Sequence, residues 1–402
     1  MSAGRGCRRM LDRRLVVGAL GVTQILAWGS STYLPAVLNA PVVADTGWPV
    51  TWVAGGLSAG QLMAAAVSPR VGRAIGEWGG RIVLAASAGL LAIGLAIIGA
   101  APSLPVYVLG WTIIGAGMGA GLYDAAFATL GTIYGQSARS AITTLTLYGG
   151  FASTVCWPLS AFLVERYGWR STCFVYAAIQ LCVSMPLLLA TVPRRQVMSV
   201  TTARPAATPA AEDPRHRVQL ILLTIALPLS AFISSVVSVQ LLTLLQAAGA
   251  TLAVAVGYGM LIGPAQVGGR LVEMAFGARY DALWTLLSGA ILIASGLILI
   301  WSGLPILALA IVIYGAGNGV WSIARGAVPL SLFGRDDYAA VMGRLARPAL
   351  LASAAAPFAA GVMFERGGVA LSQSVLVILA VVDVLVVMAL VAVTFRAKTP
   401  AA

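Results

Sequence analysis

Apolar runs of about 20 residues or longer recur along the whole chain, separated by short segments holding arginine, glycine and proline. A helix rising about 1.5 Å per residue needs a run of that length to cross about 30 Å of hydrocarbon. The runs do not alternate polar and apolar residues, which argues against the strands of a membrane barrel. Lipid offers the backbone no hydrogen bonds, and a helix satisfies its own. Composition agrees, with 59% hydrophobic residues and only 9% charged. So few charges cannot cover a water-facing surface of ordinary size. The fold class read from the sequence is an all-α membrane protein.

Twelve spans are expected, near residues 14–38, 51–70, 82–101, 105–133, 141–164, 171–192, 217–246, 252–271, 283–302, 304–332, 340–363 and 371–394. The stretch 193–216 is rich in Pro, Ala and Thr and cannot bury itself, so it reads as a linker. It divides the chain into an N-terminal half, 1–192, and a C-terminal half, 217–402. Arg5 to Arg14 followed by an apolar run has the outline of a signal peptide. The run is too long for one and lacks a cleavage site, so an uncleaved first span is expected, with Met1 or Met10 as its start.

The net charge of +12 suggests nucleic acid until the charges are placed. Of 25 Lys and Arg residues, 19 fall on one side of the expected topology, 3 on the other and 3 inside spans. That bias puts both termini and the linker in the cytoplasm of a bacterial-type inner membrane. No nucleic-acid partner is expected. The four cysteines lack metal spacing, and His216 is the only histidine, so a metal site, a cofactor and enzyme chemistry are not expected. A chain acting as a monomer is expected.

An internal repeat is the most specific signal. GAGMG at 115–119 recurs as GAGNG at 315–319, and Glu165-Arg166 before Gly168 recurs as Glu365-Arg366 before Gly368. Trp157-Pro158 matches Ala356-Pro357, and VGRAIGEWGGR at 71–81 matches GRLVEMAFGAR at 269–279. Four ordered matches near an offset of 200, half the chain, point to duplication. Six spans per copy preserve the direction of insertion, so the two repeats are parallel.

These features resemble the major facilitator superfamily over essentially the whole chain. The segment VGRAIGEWGGR, read as a loop after span 2, is similar to that superfamily's Gly-x-x-x-Asp-Arg-x-Gly-Arg signature. Gly72, Arg73, Gly79 and Arg81 fit; Gly76 stands at the Asp position, with Glu77 beside it, or Glu273 of the second copy, as a substitute. The resemblance implies conformational-gate loops at Gly72, Arg73, Glu77, Arg81, Arg270, Glu273 and Arg279. Asp45, Gly47 and Trp48, with the glycine run of span 4, look like the monocarboxylate and oxalate/formate branch. The arginine of proton-driven drug antiporters would fall at Trp111, so that motif is missing.

An ionisable group at mid-bilayer costs about 2.5–3.5 kcal/mol on insertion scales, so each one kept needs a partner or a task. The spans hold Asp124, Arg325, Arg344, Arg347 and Asp383. By helical rise, Asp124 lies about 13 Å, and Arg325 and Arg347 about 10 Å, from the cytoplasmic ends of their spans. The resemblance implies that spans 4 and 10 line a cavity with span 11 beside them. In one reading Asp124 and an arginine form an ion pair that holds a closed gate, with Arg344 nearer the surface. In the other an arginine stays unpaired and its guanidinium fork binds an anion, while Asp124 carries a proton. Further candidate contacts are Gln24 and Tyr33 in span 1, Tyr148 opposite Arg347 in the repeat alignment, and Asn318 in place of Met118. Asp383 aligns with apolar Val183 and reads as a protonated or locally hydrogen-bonded acid facing neighbouring helices. The function expected is secondary transport of a small organic anion, proton-coupled, by rocking of two halves. The alternative is an efflux carrier for drugs or for an inorganic oxyanion such as an arsenical.

Overall fold

Residues 3–134, 138–194, 214–276, 279–302 and 304–396 are described by a computed structural model, and every regular element among them is helical. The expected linker falls mostly in 195–213, outside the described residues. The chain divides into two compact units, Met1–Thr201 and Thr202–Ala402.

In the first unit α1 runs Ala3–Gly29 and resumes as Pro35–Thr46. Pro35 lacks an N–H and its ring crowds the preceding turn, so the helix breaks just before it. Ser30 and Ser31 turn their hydroxyls back onto Ala27 O, which helps satisfy that carbonyl. Next come α2 (Val50–Trp78), α3 (Gly80–Ala100) and α4 (Leu104–Gly121, then Tyr123–Tyr134). The fifth helix, α5, starts as Ala138–Gly150 and continues over 152–167; α6 covers 169–191 with a π-helical turn at Gln180–Ser184. Gly168, at φ 79°, reverses the chain between α5 and α6. Ser160 and Tyr176 meet across it at 2.7 Å, as a hairpin requires.

The second unit holds α7 (Pro214–Ala247), α8 (Leu252–Gly259, then Ile262–Phe276) and α9 (Ala282–Trp301). Helical backbone then runs over Leu307–Arg396, 90 residues. As one straight rod it would reach about 135 Å, several membrane thicknesses. Hydrogen bonds to α7 show that it folds back. Ser235 and Gln240 reach Ser353 O and Ala360 O in ascending order, whereas Gln219 and Ser230 reach Thr394 and Asp383 in descending order. The chain therefore reverses between 360 and 383, and Gly368, at φ 59°, is the left-handed residue there. This separates α10 (Leu307–Phe333), α11 (344–367) and α12 (369–396).

Nine helical stretches among the described residues are long and apolar enough to cross a membrane. Two of them, of 51 and 52 residues, each contain a glycine reversal and so hold two spans. With α1, apolar from Leu15 onward, the twelve expected spans are present as six per unit.

One expectation about local structure fails. VGRAIGEWGGR is not a loop: α2 continues to Trp78, and the turn is confined to Gly79, at φ 84°. Gly72, Arg73 and Glu77 are exposed on the helix, and Arg81 lies in the first turn of α3. Likewise Arg270 and Glu273 are helical, and Arg279 follows the end of α8. Polar residues ended the apolar run at 70, but nothing there stops a helix before Gly79.

The glycine runs act through packing. Gly115 and Gly119 press α4 onto the α2 backbone near Gly60 and Ala64, while Gly117 faces Leu91 of α3. In the second copy Gly315 and Gly319 meet α8 at Ile262 and Gln266, and Gly317 faces Ile293 of α9. A Cβ at Gly317 would lie 2.7 Å from Ile293 N, a backbone atom that cannot swing away. Gly317→Ala is thus expected to cost about 1–3 kcal/mol by overpacking. Gly257→Ala, which meets nothing within 4 Å, is the control that keeps its melting temperature.

Candidate functional site

The two helix breaks of the first unit are joined by one side chain. Gln24 is 2% exposed; its Nε2 donates to Gly121 O at 2.6 Å, just before the extended backbone of Leu122 splits α4. Its Oε1 accepts from Trp28 Nε1 at 3.2 Å. The α1 break frees Tyr33 O, which takes Trp157 Nε1 at 2.9 Å. Four aromatic rings gather there: Trp28 and Tyr123 have centroids 5.2 Å apart, and Tyr33 and Trp157 are 5.5 Å apart, edge to face. Such pairs contribute about 0.5–1.5 kcal/mol beyond area burial, which helps hold the broken segments in place. Phe127 extends the cluster by stacking on Tyr123.

Asp124 follows Tyr123 in the first turn of the second α4 segment; it is exposed and takes part in no ion pair among the described residues of its unit. Tyr148 is 37% exposed, with its ring over Gly21 of α1. Behind Gln24 lies a small cavity bordered by Thr23, Ser87, Gln180 and Ser184.

In the second unit Arg325 and Arg347 are exposed, and neither forms an ion pair among the described residues of that unit. Arg344 is also exposed and engaged elsewhere. Asn318 is half-buried between the packing glycines. Near the end of α8, Arg270 Nε donates to Ser322 Oγ at 3.2 Å, and Glu273 accepts from Thr285 Oγ1 at 2.7 Å. These two residues of the repeated signature thereby tie α8 to α10 and α9.

The Asp45-x-Gly47-Trp48 segment is a clamp. Gly47 ends α1 in the left-handed region at φ 68°, and Asp45 accepts from Trp169 Nε1 at 3.0 Å and pairs with Arg170 at 3.7 Å. Arg170 also donates to Gly99 O and Ala101 O at the end of α3, so α1, α3 and α6 meet there. Trp111 is fully buried against Gly56. Sequence reasoning missed Trp157, Tyr123, Arg170 and the Ser30–Gln180 hydrogen bond. Only the last had a legible signal, because Ser30 and Ser230 are 200 residues apart.

A helical chain of twelve membrane spans, six to a unit and duplicated down to its packing glycines, defines a polytopic membrane protein of the transporter type. The family model of the Major Facilitator Superfamily matches residues 20–274, and the chain belongs to that superfamily. Among solved structures it resembles a bacterial homologue of the human lysosomal transporter Spinster, at 15% identity and a TM-score of 0.69. That match covers 97% of this chain and 99% of the other. It also resembles a variant of the nucleoside transporter NupG, at 13% identity and TM-score 0.76, covering 95% of this chain and 99% of the other. At such identities the likeness shows the fold alone. No curated protein matches in sequence.

Proposed function

We propose that this chain is a secondary carrier for a small, monocarboxylate-like organic anion, working by alternating access in a bacterial-type inner membrane and coupled to protons. Both termini face the cytoplasm, on the lysine and arginine bias. The observation that carries the anion reading is the pair Arg325 and Arg347, two exposed guanidinium groups with no carboxylate mate among the described residues of their unit. The α10 and α11 segments hold four arginines against one carboxylate, Glu365 near the end of α11, and Asp383 is buried on α12. A cationic solute would call for the opposite balance. Guanidinium presents two parallel donors, the geometry a carboxylate accepts.

Asp124 is assigned the proton, and Arg344 a share in the gate. Tyr33, Tyr148 and Asn318 are assigned to the body of the substrate. Gln24 acts through Trp28, whose indole it holds at the α1 break. The signature residues Gly72, Arg73, Glu77, Arg81, Arg270, Glu273 and Arg279 are assigned to the conformational gate.

A thermal-shift screen of the purified protein tests the reading. Monocarboxylates should raise the melting temperature, and a ligand at a hundredfold its Kd stabilises by about 2.7 kcal/mol. Stabilisation by cationic drugs alone overturns the anion assignment. A response confined to inorganic oxyanions replaces it with the oxyanion-efflux reading.

A further inference from the structure

The 200-residue repeat relates Ser30 of α1 to Ser230 of α7, and each hydroxyl meets the last helix of its own unit. In the first unit Gln180 Nε2 donates to Ser30 Oγ at 2.8 Å. In the second the Ser230 hydroxyl bonds to Asp383 Oδ2. Both pairs are buried, with Gln180 1% exposed and Asp383 2% exposed. An amide and a carboxyl group share one planar outline, but only the carboxyl group titrates. Asp383 stands 15 residues beyond Gly368 and 13 before Arg396, about 20 Å along the helix from either. That is the middle of the apolar layer. Its Oδ1 is buried without a hydrogen-bond partner.

Among the described residues no charged group pairs with it. No Asp, Glu, Lys, Arg or His lies on α7 beyond Arg217, on α9, or on α12 between Gly368 and Arg396 apart from Asp383 itself. The α10 helix carries Tyr314 and Arg325, and α11 carries Arg344, Arg347, Glu365 and Arg366. On α8 stand Tyr258, Arg270 and Glu273, the last two held by Ser322 and Thr285. None of these forms an ion pair with Asp383 among the described residues.

We propose that Asp383 is a proton-binding site that the second unit loads and unloads. A buried carboxylate with one donor and one bare oxygen is costly in an apolar seam, whereas the neutral acid is not. The neutral acid bonds its serine as the Gln180 amide bonds Ser30 in the first unit. Its Oδ2–H donates to Ser230 Oγ, the Ser230 hydroxyl turns to a carbonyl of its own helix, and Oδ1 remains an uncharged carbonyl. Loading transfers one proton from hydronium to the carboxylate and leaves one water. Unloading is the reverse: water takes the proton, and the Ser230 hydroxyl swings back to donate to the carboxylate. Unloading therefore requires water in the seam between α7 and α12, which ties the proton to an opening of that seam.

Infrared difference spectra of the full chain in lipid, recorded between acidic and alkaline pH without any substrate, test this. The expected result is a carboxylic-acid carbonyl band that disappears in Asp383→Asn and survives in Asp124→Asn. Ser230→Ala should move that band in frequency without removing it, because the acid O–H loses the acceptor it has in Ser230 Oγ. Gln180 shows that an amide fits such a seam, and a melting curve verifies that Asp383→Asn is folded. A band unaffected by Asp383→Asn, no such band in the difference spectrum, or a band unmoved by Ser230→Ala overturns the proposal. With no substrate present, the result is independent of the anion reading.

Discussion

Arg325→Ala and Arg347→Ala are each expected to abolish most of the thermal stabilisation that a monocarboxylate confers, while leaving the ligand-free melting temperature unchanged. Both guanidinium groups are exposed and form no ion pair among the described residues of their unit, so truncation orphans none of those carboxylates and opens no core cavity. A charge-assisted hydrogen bond contributes about 1.5–3 kcal/mol, and each 1.4 kcal/mol is a factor of ten in affinity. Loss of one arginine should therefore weaken binding about 10- to 100-fold. Lysine keeps the charge but not the fork, so Arg325→Lys and Arg347→Lys should fall between wild type and alanine. Arg366→Ala, exposed near the end of α11, is the control and should bind as wild type does. If both alanine variants keep wild-type affinity for carboxylates, the anion site lies elsewhere. A difference between them names the arginine that holds the ligand.

The twelve spans were legible because hydrocarbon thickness imposes a length on every apolar run, and the duplication because whole motifs recur at one offset. The glycines of both GAG runs were readable as packing residues, since a close helix approach tolerates no Cβ. Less legible was everything that depends on which helix faces which. Gln24 reads as a polar group on a lining helix, yet its amide is spent on Gly121 O and Trp28, 97 and 4 residues away. Tertiary contact decides that, and spacing within one helix cannot. Arg170 counts in the sequence only as a loop charge, but it holds two carbonyls at the end of α3 and stands beside Asp45. The signature at 71–81 was misread as a loop for a simpler reason. Hydropathy marks where lipid ends, whereas a helix ends where its backbone breaks, here at Gly79.

Asp124→Asn is expected to separate substrate movement from the proton gradient. The side chain is exposed in the first turn after the α4 break, beside Tyr123 and its ring neighbours Trp28 and Phe127, with no ion pair among the described residues of its unit. It can therefore exchange a proton without first breaking a salt bridge there. Asparagine keeps its size and a hydrogen-bonding oxygen but cannot titrate. In proteoliposomes loaded with the best-stabilising carboxylate, exchange of labelled for unlabelled substrate should proceed in the variant, because exchange needs no net proton movement. Net uptake driven by an inward proton gradient should collapse toward its ungraded rate. A ligand can bias a two-state carrier only through its differential affinity for the two states, and removing the titrating group removes that bias for the proton alone. Undiminished gradient-driven uptake would show that Asp124 does not carry the proton. Loss of exchange and uptake together would place it in the substrate site instead.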